Sequence, residues 1–234
     1  MSPSEPWPVV MGEDPGSPSR TVTLVVPHRA PSPSPRPLRL GVLASGHGSN
    51  FEALVRASRH GGLHAEVVGL VVNTPHCKAL ARARRLDIAA AVMDHRRYPS
   101  REALDHALVD HFRALQVDVL VMAGWMRIVS PVLCRAYDKR LVNIHPSLLP
   151  AFRGLNAMER ALAAGVCITG CTAHLVVPEV DAGPILIQAA VPVYADDTMA
   201  TMATRIHAEE HRILPIAVAM AGQHLFERPC PGQG

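Results

Sequence analysis

Asn143 and His145 stand two residues apart at the end of a short apolar run, Leu141-Val142-Asn143-Ile144-His145, and Pro146 follows at once. In an extended chain successive side chains alternate faces, so the amide and the imidazole project to one side and Ile144 to the other. Pro146 biases His145 toward β or polyproline geometry, which carries the extended conformation through the histidine. A donor amide and a titratable ring at the carboxyl end of a strand stand where open α/β sheets bind ligands. Asn143 as a turn cap and His145 as a satisfied rim histidine is the plainer reading, and a chemical role needs a third group. Asp181, in Glu179-Val180-Asp181-Ala182-Gly183-Pro184, could be that group. A carboxylate in hydrogen-bond range would hold the imidazole in one tautomer and favour its charged form. Asp-x-Gly-Pro is equally ordinary turn chemistry.

Two further stretches could bind rather than react. Ala44-Ser45-Gly46-His47-Gly48-Ser49-Asn50 joins a strand to a helix. Glycines there let backbone N–H groups approach a phosphate, and the helix N-terminus adds partial positive charge. The loop matches neither the dinucleotide fingerprint nor a P-loop, so a tight strand-to-helix turn accounts for it as well. Gly124-Trp125-Met126-Arg127-Ile128-Val129 follows another strand. An arginine among apolar residues could hold a flat heterocycle or simply snorkel.

The elements that must position these residues follow from periodicity. Leu40 to Ala44, Val67 to Val72, Ile88 to Met93 and Val117 to Ala123 read as buried strands. Between and around them, Asn50 to His60, His76 to Arg85 and Ser100 to Leu115 read as helices. Continuous apolar runs separated by helix-length segments predict a parallel sheet covered on both faces. Ala157 to Ala164 is then a helix, Ile168 to Val177 and Ile185 to Val193 are two antiparallel strands, and Thr198 to Ala221 is a long closing helix with Asp196, Asp197 and Thr198 offering a cap. The fold class is therefore α/β, a Rossmann-like, mostly parallel sheet with late antiparallel strands and a long C-terminal helix.

Composition limits the partners. With 48% hydrophobic and 18% charged residues in 234, the chain reads as a soluble globular protein. No apolar run approaches the ~20 residues of a membrane helix. A formal charge of +3 without a basic block, and 4% aromatic residues, argue against nucleic acid and leave small anions as the natural ligands. Cys77, Cys134, Cys167, Cys171 and Cys230 form no CxxC pair or zinc spacing, and the run Val22 to Val26 is too short for a secretion signal. Reduced thiols in the cytoplasm are expected. Ten of the 21 prolines fall in residues 1–37, with interspersed serines, so a disordered leader is expected there, followed by one domain over 38–222 and a short tail over 223–234.

The order and spacing of Leu43-Ala44-Ser45-Gly46-His47-Gly48-Ser49-Asn50, Ala123-Gly124-Trp125-Met126-Arg127-Ile128, Asn143-Ile144-His145-Pro146-Ser147-Leu148-Leu149-Pro150 and Asp181-Ala182-Gly183-Pro184 resemble the folate-dependent formyltransferase family. Within it the likeness is to the phosphoribosylglycinamide formyltransferases, and it covers about Leu38 to Gly222. The resemblance implies that Asn143, His145 and Asp181 are catalytic and that Gly48, Ser49 and Asn50 cradle the ribonucleotide phosphate. It implies that His207, Ala208, Glu209 and Glu210 hold the same substrate. Arg101, Met126, Arg127, Ile128, Val129, Asn143, Val177, Pro178, Glu179, Val180 and Asp181 are implied to bind folate. The implied reaction passes the formyl group of 10-formyltetrahydrofolate directly to the amine of 5-phosphoribosylglycinamide in purine (IMP) biosynthesis, through a tetrahedral intermediate and without a metal. A cytoplasmic monomer or homodimer with no nucleic-acid or membrane partner is implied. His47, Asn156, Met158 and His207 depart from residues common in the family. The rival readings are a formyltetrahydrofolate deformylase, which carries an additional folded N-terminal domain that this Pro/Ser-rich leader is not expected to form, and a non-catalytic folate- or nucleotide-binding module. A methionyl-tRNA formyltransferase would need a C-terminal RNA-binding domain, which nothing after Gly222 is expected to supply.

Overall fold

The structure is a computed structural model that describes residues 25–27, 34–223 and 225–226. In chain order the elements are β1 (Val25–Pro27), β2 (Leu38–Ala44), α1 (Ser49–Arg59), β3 (Ala65–Val72), α2 (Lys78–Arg85), β4 (Ala90–Val92), α3 (Arg101–Ala114), β5 (Val119–Met122), α4 (Pro131–Ala136), β6 (Leu141–His145), α5 (Ala157–Ala163), β7 (Ile168–Leu175), β8 (Ile185–Pro192) and α6 (Met199–Gln223). The strands form one sheet in the order β1-β8-β7-β6-β5-β2-β3-β4. From β4 across to β6 the pairings are parallel, and β7, β8 and β1 add on antiparallel.

The chain runs from β2 outward to β3 and β4, then returns to lay β5 on the other side of β2. That reversal is a topological switch point, and ligands of open α/β sheets bind in the crevice at the carboxyl ends of the strands beside it. The two faces of the sheet are covered by different helices. Leu40, Val42 and Ala44 of β2 pack into a core with Phe51, Leu54 and Val55 of α1, Ala79 and Ala83 of α2, and Met202, Ile206 and Ile213 of α6. Leu43 points the other way and joins Leu104, Leu108 and Phe112 of α3 and Leu133 of α4. Alternate residues of one strand thus feed two cores, which is why the strands are apolar throughout instead of alternating.

Helix boundaries follow local chemistry. Ser100 caps α3 by accepting from the Ala103 amide at 3.1 Å. His76 adopts φ 62°, so α2 cannot begin there and starts at Lys78. Of the three residues expected to cap α6, Thr198 does so, accepting from the Thr201 amide at 3.3 Å. Asp197 is turned toward Arg205 instead. The leader also departs from expectation: Val25, Val26 and Pro27 pair with Ala189, Gln188 and Ile187 as an outer strand, where no regular structure was expected. Arg36 makes a two-pronged pair with Asp118 at 2.6 and 2.8 Å. Residues 1–24 and 28–33 of the leader, and 224 and 227–234 of the tail, lie outside the described residues. Among the described residues, no helix is long and apolar enough to cross a membrane.

Candidate active site

Asn143 and His145 share one side of β6, at its carboxyl end, as the alternation requires. Asp181 reaches them from the β7–β8 connection. A Cβ on Gly183 would lie 1.8 Å from the Leu175 carbonyl oxygen, so only glycine lets the chain double back so tightly. The Leu175 amide donates to the Pro184 carbonyl at 2.9 Å and closes this turn. Asp181, itself at φ 51°, then lies over the β6–β7 pair.

The third group is therefore present. Asp181 Oδ2 is 3.3 Å from His145 Nδ1, and its Oδ1 is 3.4 Å from Asn143 Nδ2. The Gly154 amide also donates to Oδ2, at 2.8 Å. On the far side of the His145 ring, Nε2 lies 3.0 Å from the Phe152 carbonyl oxygen. That oxygen only accepts, so Nε2 carries a hydrogen, and Nδ1 donates to the carboxylate when the ring holds its second proton.

His174, which sequence reasoning treats as structural, belongs to the same cluster. It is the register partner of Asn143 across β6 and β7, and it is almost wholly buried. Its Nδ1 is fixed as a donor by the Leu175 carbonyl at 2.9 Å. Its Nε2 faces Asn143 Nδ2 at 3.1 Å and Asp181 Oδ1 at 3.5 Å. Burial alone would push the Asp181 carboxyl up. The contacts with His174, the Gly154 amide and His145 outweigh it and hold Asp181 below the usual carboxylate range.

The cluster sits at one side of a cavity of about 750 Å³. Every residue implied as a folate contact lines it: Arg101, Met126, Arg127, Ile128, Val129, Asn143, Val177, Pro178, Glu179, Val180 and Asp181. Met126 and Ile128 are exposed apolar side chains, 67% and 57% accessible, on the wall of the cavity, where an apolar ligand would cover them. The departures Asn156 and Met158 differ in placement: Asn156 lines the cavity, and Met158 packs against the core. Ser147 is no nucleophile in this arrangement. It is buried, and its hydroxyl donates to the Ala151 carbonyl at 2.6 Å, bracing the turn after His145.

The loop after β2 is next to the cavity because β2 and β5 are neighbours. Ser45 joins the two: its Oγ accepts from the Met126 amide at 2.8 Å, and its own amide donates to the Gly124 carbonyl at 3.0 Å. Gly48 precedes α1 at φ 75°, and the first N–H groups of the helix face outward without intrahelical acceptors. Gly48 also meets a packing requirement. A Cβ on Gly48 would meet the Ala79 Cβ at 2.7 Å, so the close approach is to α2. Asn50 donates to Glu210 Oε2 at 2.8 Å, while its own Oδ1 is buried without a partner among the described residues. Burial drives the Glu210 carboxyl up to about 7 against the hydrogen bond from Asn50. Of the four α6 residues implied as substrate contacts, only Glu210 is joined to the loop. Glu209 pairs with Arg212 at 2.7 Å, and His207 and Ala208 are exposed.

Residues 38–218 match the formyl transferase family model. The chain belongs to the formyl transferase family. The chain is 37% identical over 180 residues to the phosphoribosylglycinamide formyltransferase of Bacillus subtilis, an alignment covering 77% of the chain and 92% of that protein. It is 44% identical over 189 residues to the trifunctional purine biosynthetic protein adenosine-3 of Drosophila melanogaster, of which it spans only 14%, using 80% of its own length. Among solved structures, glycinamide ribonucleotide transformylase 1 of Symbiobacterium toebii superposes with a TM-score of 0.79 at 43% identity, covering 82% of this chain and 90% of that one. The matched span holds α1, the whole Asn143–His145–Asp181–His174 cluster and nearly all of α6, so every element of the candidate site falls inside the family region.

Proposed function

We propose that this formyl transferase passes the formyl group of 10-formyltetrahydrofolate to the amine of 5-phosphoribosylglycinamide, a step of purine biosynthesis. The observation that carries this reading is the convergence of Asn143, His145 and Asp181 at one side of a folate-sized cavity, one strand-loop away from the N-terminus of α1. Folate lies in the cavity against Arg101, Met126 to Val129 and Val177 to Asp181. The ribonucleotide places its phosphate on Gly48, Ser49 and Asn50, where backbone amides and the helix dipole favour an anion. Glu210 and the unpartnered Oδ1 of Asn50 are acceptors beside that loop, suited to sugar hydroxyls. His207, Ala208 and Glu209 border the same substrate.

The amine attacks the formyl carbon, the carbonyl oxygen becomes an oxyanion, and collapse breaks the bond to the folate nitrogen. One proton leaves the amine and one reaches the folate nitrogen, so a relay through the site balances the transfer. Asn143 Nδ2 and His145 donate to the oxyanion, each donor being worth ~100- to 1000-fold in such sites. Before substrate arrives both are engaged, Asn143 with His174 and Asp181, and His145 with the Phe152 carbonyl and Asp181. The long 3.4 Å contact from Asn143 to Asp181 is the one most readily exchanged for an oxyanion. Asp181, held as a carboxylate, steadies positive charge on His145 as the oxyanion forms. The enzyme works on small molecules in the cytoplasm, as a monomer or homodimer.

The test is formyl transfer with both substrates, with release of free formate measured alongside. Ribonucleotide-dependent loss of the folate formyl group supports the reading. Formate release that is indifferent to the ribonucleotide makes the protein a hydrolase.

A further inference from the structure

The phosphate-binding loop is flanked by charge that the backbone-cradle reading does not use. The first turn of α2 docks directly on the loop, the Ala79 amide donating to the Gly46 carbonyl at 3.0 Å. This places Lys78 Nζ 3.4 Å from His47 Nε2, one residue before Gly48. Arg82, one turn further on, donates from Nε to the His47 carbonyl at 2.9 Å, and its Nη2 lies 3.3 Å from His47 Nδ1. The His47 ring is thus held between two cationic donors. A neutral imidazole accepts at only one nitrogen, so one of these two contacts lacks an acceptor.

The neighbouring guanidinium groups are already engaged: Arg56, Arg82 and Arg85 share the single carboxylate of Glu52. Lys78 differs. It is exposed, and among the described residues it has no carboxylate partner. We propose that Lys78, steered by His47, is a ligand of the substrate phosphate and completes from α2 the cradle that Gly48, Ser49 and Asn50 form from α1. An anion at the mouth of α1 accepts from the Lys78 ammonium, which relieves the contact between two donors at His47 and adds a point charge to the helix dipole. The surroundings favour an anion in the same way. Burial first, then the neighbours His207, Arg82 and Arg56, outweigh Glu52 and keep His211, on α6, toward its neutral form. Lys78 therefore adds, on this side of the loop, a positive charge with no carboxylate partner of its own among the described residues.

The inference rests on the ribonucleotide reading above, and one set of measurements separates the two. Direct binding of phosphoribosylglycinamide to the full chain is measured by calorimetry across a salt series, beside steady-state kinetics, for the wild type, Lys78→Met and Lys78→Arg. Loss of one charge-assisted hydrogen bond at an exposed site weakens binding about tenfold. Lys78→Met should show that loss in both Kd and the KM for the ribonucleotide, with a shallower salt dependence. The KM for folate and the turnover at saturation should stay near wild type, and Lys78→Arg should recover most of the affinity. Inorganic phosphate, used as a competitive inhibitor, should lose potency in parallel. If Lys78→Met binds the ribonucleotide as the wild type does, with the same salt slope, Lys78 is no phosphate ligand while the ribonucleotide reading stands. Equal loss of folate affinity would make Lys78 a general support of the sheet end and overturn the proposal. A wild type that binds no ribonucleotide would sink both.

Discussion

Glu210 offers a pH-dependent stability that can be worked out from its surroundings. It is 4% exposed, its carboxyl is pushed from an ordinary 4.5 up to about 7, and burial is the dominant cause. A carboxyl whose pKa is higher in the folded than in the unfolded state holds its proton more tightly when folded. Stability is then lost as pH rises from the unfolded to the folded value, here between about 4.5 and 7, and the loss is complete above that window. At ~1.36 kcal/mol per pKa unit, the shift corresponds to roughly 3 kcal/mol at pH 8. Glu210→Gln keeps the size and a partner for Asn50 but has no charge to bury. The variant should match the wild type at pH 4, below the unfolded value, and be more stable by up to about 3 kcal/mol at pH 8. For a chain of this size that is a Tm rise of roughly 6–12 °C. Thermal melts and denaturant titrations of both proteins at pH 4, 6.5 and 8 measure the difference directly. Other titrating groups act on both proteins alike and cancel in it. Parallel stability curves over that range would show that Glu210 is solvated in solution and that the burial argument is wrong.

Two further outcomes follow from specific contacts. Gly48→Val combines an unfavourable positive φ with a clash against Ala79, so it should push α2 off the loop, lower the Tm and raise the ribonucleotide KM while the folate KM stays near wild type. A normal Tm and ribonucleotide KM would mean that α2 need not dock there. Deletion of residues 1–37 removes β1 and the Arg36–Asp118 pair, both remote from the cavity, so the Tm should fall by a few degrees with turnover unchanged. Loss of most of the turnover would tie the leader to the site.

Much of this was legible because strong local signals agreed with the fold. Pro146 after an Asn-x-His strand end, apolar runs buried on both faces, and Ser100 before α3 each carry their structural consequence within a few residues. What escaped the sequence depended on register or on short-range competition. His174 becomes part of the site only through its pairing with Asn143 across two antiparallel strands, and nothing local to Leu175 announces that register. Helix α4 is six residues long, too short for a period, although Ser130 as N-cap with Pro131 at the first position was a readable start. The leader strand β1 is three residues drawn into order by the free edge of β8, a tertiary effect that its proline-rich composition hides. Lys78 gains its interest from α2 docking on the loop, a contact between segments thirty-odd residues apart.

The central claim is that Asn143, His145 and Asp181 act as one charge-stabilising unit in the transition state. Steady-state kinetics of Asn143→Ala, His145→Ala, Asp181→Asn and the His145→Ala/Asp181→Asn double variant, with each substrate varied separately, test it most directly. Each of the two alanine variants should lose ~100- to 1000-fold or more in kcat, with much smaller changes in either KM. Asp181→Asn keeps the shape and removes the charge, so it should lower kcat and alter the pH profile. The double variant should lose little beyond His145→Ala alone, because the carboxylate acts through the imidazole. Asp181→Asn with near-wild-type turnover and an unchanged pH profile would reduce Asp181 to a turn residue and contradict the mechanism.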